Sequence, residues 1–204
     1  MIAIVDYGVG NLFSLRSSLA SLGEEAVVTG NSEQLRSADR IILPGVGAFG
    51  DAADKLRSTG LDRTVVELVE EGKPLLGICL GMQLLFDRGY EFGEHAGLGL
   101  LRGEIVPMQG SIPEQLKIPQ IGWNALIRKR DHFLLKDVHE GDCVYFVHSF
   151  YAANCEESLV ATTEYGIEMT AVVAKDNVMG CQFHPEKSGK VGLSILSAFA
   201  RGAV

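Results

Sequence analysis

A cysteine stands between two glycines in Gly77-Ile78-Cys79-Leu80-Gly81. The segment joins the apolar run Pro74–Ile78 to residues with helical character at Leu80–Arg88. A nucleophile with glycine at −2 and +2 is the pattern of a nucleophile elbow, a turn so tight that side chains on both flanks would collide. Such a turn lifts Cys79 above a sheet edge and aims its sulfur at the start of the following helix. There the helix dipole favours a thiolate, and the Leu80 N–H is free to serve an oxyanion. A small buried structural cysteine suits the same apolar context.

A nucleophile of this kind needs a base and something to orient it. Gln182-Phe183-His184-Pro185-Glu186 supplies an imidazole and a carboxylate two residues apart. In an extended segment, positions 184 and 186 face the same way, and Pro185 disfavours helix at His184. Cys79, His184 and Glu186 together form a complete acyl-transfer triad. Cys181-x-x-His184 has the spacing of metal ligands. Strand parity sets the two on opposite faces, and no second Cys/His pair lies near in sequence, so no metal is expected. Pro44-Gly45-Val46-Gly47 closes another apolar run, and the Val46 N–H is a second candidate oxyanion donor. A plain glycine turn would read the same. Gly8-Val9-Gly10 lacks the third glycine of a dinucleotide fingerprint, and there is no phosphate-binding GxxxxGK[ST] loop. No cofactor is implied. His148-Ser149 has no elbow of its own and reads as a strand end that could line a pocket. His95, His132 and His139 lie in polar stretches and are expected at the surface.

These groups must be positioned by regular elements. Residues Ile2–Val5, Glu25–Thr29, Arg40–Leu43 and Pro74–Ile78 read as strands. Leu12–Leu22, Asp51–Thr59 and Leu61–Glu71 have apolar residues at helical spacing, with Asn11 as N-cap and Gly23 at the C′ position of the first. Strands alternating with helices predict an α/β fold with a largely parallel sheet covered on both faces, in three layers. The second half is strand-rich, with runs at Leu100–Met108, Trp123–Arg128, Val144–His148, Leu159–Thr163, Thr170–Ala174 and Val178–Phe183. A helix over Ser188–Ala200 closes the chain.

The chain has 204 residues, 24 of them glycine, which bounds it to one domain over 1–204. Its formal charge of −8 disfavours nucleic acid or anionic membrane as the main partner. The N-terminus shows no targeting signal, and the most apolar stretch, Pro74–Phe86, is shorter than a membrane span. Four cysteines without a CxxC pair suit a reducing, cytoplasmic setting.

The elbow GxCxGxQ at Gly77–Gln83 followed by His184-Pro185-Glu186 resembles the class I, triad-type glutamine amidotransferases, whose domain is flavodoxin-like. Further strings resemble, within that class, the glutaminase subunits of imidazole glycerol phosphate synthases. They are Ile4–Asn11, Leu43–Gly50, Leu76–Phe86, Gly122-Trp123-Asn124, Tyr145–Ser149 and Gln182–Gly189.

The resemblance implies that Cys79 attacks the glutamine amide, that His184 relays the proton and that Glu186 orients His184. It implies an oxyanion hole at Val46 and Leu80, and a glutamine pocket lined by Gly47, Gln83, Ser149 and Phe150. The implied partner is a (β/α)8 cyclase subunit, in a heterodimer. That subunit takes the ammonia and makes imidazole glycerol phosphate and an aminoimidazole carboxamide ribotide (AICAR). Asn11, Trp123, Tyr145 and Lys187 would then face the partner. Read without the resemblance, they are an N-cap, two core aromatics and a solvated lysine. Gln120 stands where the family pattern carries a histidine, two residues before Gly122. Two other readings remain at this point. One is a different glutaminase or γ-glutamyl hydrolase of the superfamily. The other is a degenerate binding module, which the intact Cys79, His184 and Glu186 oppose.

Overall fold

A computed structural model describes residues 1–202. Of the span 1–204 expected to form one domain, positions 203 and 204 lie outside the described residues. The first half follows a strict alternation: β1 (Ile2–Val5), α1 (Leu12–Ser21), β2 (Ala26–Thr29), α2 (Ser32–Ser37), β3 (Arg40–Gly45), α3 (Phe49–Ser58), α4 (Leu61–Glu70), β4 (Leu75–Cys79) and α5 (Leu80–Gln83). The second half holds β5 (Phe86–Gly89), β6 (His95–Ala96), β7 (Leu101–Pro107), β8 (Gln120–Ala125), β9 (Ile127–Arg128), β10 (Cys143–His148), β11 (Phe150–Ala153), β12 (Leu159–Glu164), β13 (Glu168–Lys175), β14 (Val178–Cys181) and α6 (Gly189–Arg201).

One sheet of eight strands runs in the order β2-β1-β3-β4-β14-β13-β12-β9. The pairings from β2 through β14 are parallel, and those from β14 to β9 are antiparallel. Its central strands are buried on both faces, which is why they read as continuous apolar runs. Alternation along β1 shows how the two faces are filled. Ala3 and Val5 pack with Leu56, Leu61, Val65 and Leu68 of α3 and α4. Ile2 and Ile4 pack with Leu15 and Leu19 of α1 and with Ile195 and Phe199 of α6. The sheet therefore lies between two layers, as expected for the fold class. No described helix is long and apolar enough to cross a membrane.

Four local expectations change. The helical stretch at Leu80–Arg88 is a single turn. It gives way to β5, which pairs with β7, so a long-range ladder overrides local propensity there. The run Trp123–Arg128 divides at buried Leu126, with β8 pairing β10 and β9 pairing β12. Asn11 sits at the N-cap of α1, but its side chain makes no capping bond. Of the three histidines expected at the surface, only His139 is exposed, and His95 lies in β6. His132 accepts from the Leu134 N–H, and the His95 ring lies against Gly50.

Candidate active site

The site sits at the carboxyl ends of β3, β4 and β14, where open parallel sheets leave a crevice. Cys79 ends β4 with φ 54° and ψ −113°, a strained conformation for a residue with a side chain. Both neighbouring glycines are required by contact. A Cβ on Gly77 would come within 2.7 Å of Met82 Cα, and one on Gly81 would overlap the Leu43 carbonyl. The elbow is thus wedged between its own helix turn and β3. Leu80 opens α5, so its N–H has no intrahelical partner and is available at the sulfur.

His184 follows β14 in extended conformation and Pro185–Lys187 then forms one 3₁₀ turn. The expected strand alternation does not bring His184 and Glu186 together. The turn does, with Pro185 at its first position, and His184 Nδ1 lies 2.9 Å from Glu186 Oε1. Both side chains are almost fully buried. The His184 N–H bonds the Tyr145 carbonyl, and Ser188 Oγ donates to the His184 carbonyl at 2.6 Å. Burial pulls the His184 pKa down. The Cys79 sulfur beside it and the Glu186 carboxylate outweigh that and hold it up at about 9. Glu186 Oε2 has no partner among the described residues and borders a cavity of about 10 Å³ that Asn11 also lines.

A cavity of about 330 Å³ opens beside the sulfur and is bordered by Val46, Gly47, Cys79, Leu80, Gln83, Ser149, Phe150 and His184. Every residue expected in the triad, the oxyanion pair and the glutamine pocket borders it except Glu186, which stands behind His184. Gln83, however, is buried and turned inward. Its amide nitrogen donates to the Phe150 carbonyl and to Gln182 Oε1, both at 3.0 Å. It braces the wall and reaches toward Gln182, whose own Nε2 lies 3.8 Å from the Cys79 sulfur.

Sequence reasoning missed several supports. Tyr7 is buried and donates to the Pro44 carbonyl at 2.8 Å, which anchors the start of the Pro44–Gly47 loop. Burial, and then the nearby Cys79 sulfur, push the Tyr7 pKa up, so it stays a donor. Glu91 Oε2 accepts from the Phe49 N–H at 2.7 Å and borders the cavity. No local pattern marks these two; only the fold brings them in. Cys181 is buried in the core, and burial raises its pKa well above an ordinary thiol, so it is no second nucleophile.

The four residues expected to face a partner behave differently from core groups. Trp123 is 55% exposed and Tyr145 half-buried, with ring centroids 6.0 Å apart in an edge-on arrangement. The Lys187 ammonium lies 5.9 Å from the centre of the Tyr145 ring and borders the cavity. Asn11 lines the same small cavity as Glu186. Gln120, by contrast, is fully buried and bonded to Asn124 and His148, so it presents nothing to a partner directly.

This elbow, triad geometry and three-layer sheet define a glutamine amidotransferase, and the family model for "Glutamine amidotransferase class-I" matches residues 3–202. The chain belongs to that family. Within it, the chain is 50% identical over 201 residues to the imidazole glycerol phosphate synthase subunit HisH of Wolinella succinogenes, covering 98% of both chains. It is 48% identical over 206 residues to the HisH subunit of Bacillus subtilis, covering 100% of this chain and 97% of that one. Among solved structures it superposes on the PurLQS structure from Thermotoga maritima with a TM-score of 0.76 at 21% identity, covering 97% and 96% of the two chains. A crystal structure described as a glutamine amidotransferase gives 0.75 at 20% identity, covering 98% and 99%. These two likenesses concern the fold.

Proposed function

We propose that this chain, acting as one domain, is the glutaminase subunit of an imidazole glycerol phosphate synthase. In a heterodimer it feeds ammonia to a (β/α)8 cyclase subunit that makes imidazole glycerol phosphate and AICAR in histidine biosynthesis. The observation that carries the chemistry is the His184–Glu186 pair at 2.9 Å beside the strained Cys79. The likeness to HisH subunits over nearly the whole chain supports the choice of pathway and of a cytoplasmic setting.

The Cys79 thiol gives its proton to His184 Nε2, the nitrogen that Glu186 leaves free. The sulfur attacks the glutamine side-chain carbonyl, and the Leu80 and Val46 N–H groups receive the oxyanion. His184 returns the proton to the departing nitrogen, which leaves as ammonia with a thioester on Cys79. Water, deprotonated by His184, then cleaves the thioester to glutamate. Gly47, Ser149 and Phe150 hold the glutamine, and Gln83 braces the Phe150 side. Asn11, Trp123, Tyr145 and Lys187 face the cyclase. Tyr7 anchors Pro44, so reorientation of the loop is confined to Val46 and Gly47, and partner binding sets that peptide toward the oxyanion.

The test mixes the chain with the cyclase and follows glutamate release and cyclised product. Wild type is expected to use glutamine. Cys79→Ala is expected to lose glutamine-dependent product entirely while external ammonium restores it. A Cys79→Ala chain that still releases glutamate would overturn the catalytic assignment. A cyclase whose product formation ignores this chain would overturn the partner.

A further inference from the structure

A run of hydrogen bonds leads from the surface into the pocket wall, and it is one hydrogen short. Asn124 Nδ2 lies 3.2 Å from the Glu164 carbonyl, and Asn124 Oδ1 lies 2.8 Å from Gln120 Nε2. Gln120 Oε1 lies 3.0 Å from His148 Nε2, and His148 Nδ1 lies 2.8 Å from the Phe150 carbonyl. Both ends are main-chain carbonyls, which only accept. Each amide presents a nitrogen to one neighbour and an oxygen to the other, and a neutral imidazole carries one N–H. Three donors therefore serve four contacts. Turning either amide over, which the atom positions allow equally, moves the missing hydrogen along the run without supplying it.

A second proton on His148 would supply it, but that charge would sit in a nearly closed interior. Burial pushes the His148 pKa down to about 4, and the positive His184 adds to this; the bond to the Phe150 carbonyl opposes both. With His148 neutral, two lone pairs must face each other somewhere. The Gln120–His148 contact is buried and the Phe150 and Gln120–Asn124 contacts are partly so, and such opposition costs more the deeper it lies. The Asn124–Glu164 contact is the longest and the only exposed one, and water can intervene there.

We propose that Gln120 is a positioning residue for the glutamine pocket. It points its NH₂ group at His148 Nε2 and so fixes the His148 Nδ1–H on the Phe150 carbonyl. That carbonyl then has both lone pairs engaged, one by His148 and one by Gln83. Its peptide forms part of the wall beside Cys79, so its placement bears on how glutamine is held. The missing donor is left at Asn124, next to exposed Trp123.

The pocket role rests on the glutaminase reading above; the imidazole state does not, and the two are measured separately. In the full chain labelled with ¹⁵N-histidine, the His148 signals are identified by their loss in His148→Gln. At pH 7 to 8 they should show Nδ1 protonated and Nε2 bare. An imidazolium, or a proton on Nε2 alone, would overturn the proposal. In glutamate release with the cyclase, Gln120→Leu should raise KM for glutamine about tenfold and change kcat much less. Gln120→His, with one donor and one acceptor like an amide, should recover most of that loss. An unchanged KM in Gln120→Leu would also overturn it. A wild-type chain that releases no glutamate would defeat the glutaminase reading instead and leave the imidazole measurement to decide the hydrogen-bond run.

Discussion

At the scale of single residues, His184 sets a pH window. Its pKa stands at about 9, against 6.5 for a free imidazole, because the Cys79 sulfur and the Glu186 carboxylate outweigh burial. The imidazolium form is therefore the one these neighbours stabilise. That contribution is complete below about 6.5 and disappears as pH rises through about 9. In the proposed mechanism the same proton goes to the leaving nitrogen, so glutamate release should hold through neutral pH and fall on an alkaline limb near 9. Glu186→Gln removes the carboxylate, so the limb should move to lower pH and kcat/KM should drop by roughly 10²-fold. A pH–rate profile checks both, and a limb that stays in place would separate Glu186 from the tuning of His184. The three residues proposed as nucleophile, base and acid were legible in the sequence because each lies in a local pattern. The way His184 meets Glu186 was not, because a proline-led turn and an alternating strand both satisfy His-Pro-Glu. The inward turn of Gln83 was equally hidden: its partners Phe150 and Gln182 lie far along the chain.

At the scale of elements, two glycines with different surroundings should fail in different ways. Gly81 lies against the β3 backbone, where a Cβ would overlap the Leu43 carbonyl. Neither the strand nor the elbow can yield cheaply, so Gly81→Ala should cost about 3 kcal/mol or more. That is a fall of roughly 6–12 °C in thermal midpoint for a chain of this size. Gly47 has open space around its Cβ position but φ +97°. Gly47→Ala should fold with a midpoint shift of a few degrees at most, while biasing the loop that carries the Val46 N–H. Loss of one oxyanion donor typically costs about 10²–10³ in rate. Thermal melts beside glutamate release with the cyclase would separate the two glycines; a Gly47→Ala chain with wild-type activity would remove the loop from the mechanism. The alternation β1 through β4 was readable because buried parallel strands are apolar runs punctuated by glycine. The short elements were not. α2 has six residues and is started by the Asn31 side chain, which accepts from Glu33 and Gln34 N–H groups. β5 and β11 exist because β7 pairs with both, a long-range fact that local residues do not carry.

At the scale of the whole molecule, an acidic chain exposes a few large apolar side chains, Phe13 and Phe92 most fully, and two of the others share one strand. Ile121 and Trp123 are 62% and 55% exposed and, two apart on β8, share a face. Their strand belongs to a separate two-stranded sheet with β10, which also carries Tyr145, beside the Lys187 that borders the cavity, and His148 in the cavity wall. A surface that joins exposed aromatics to the rim of the site suits a partner that must receive what leaves the site. An exposed tryptophan contributes little to folding, so Trp123→Ala should leave the thermal midpoint nearly unchanged. On docking the same ring would become a buried anchor, and its loss should weaken association with the cyclase by about 2 kcal/mol, roughly 30-fold in Kd. Glu70→Ala, exposed at the end of α4 in the opposite layer, should leave Kd unchanged. Titration calorimetry of the two variants against the cyclase gives the comparison directly. Equal weakening in both would mean a general effect of surface substitution, and no weakening in either would move the interface away from β8.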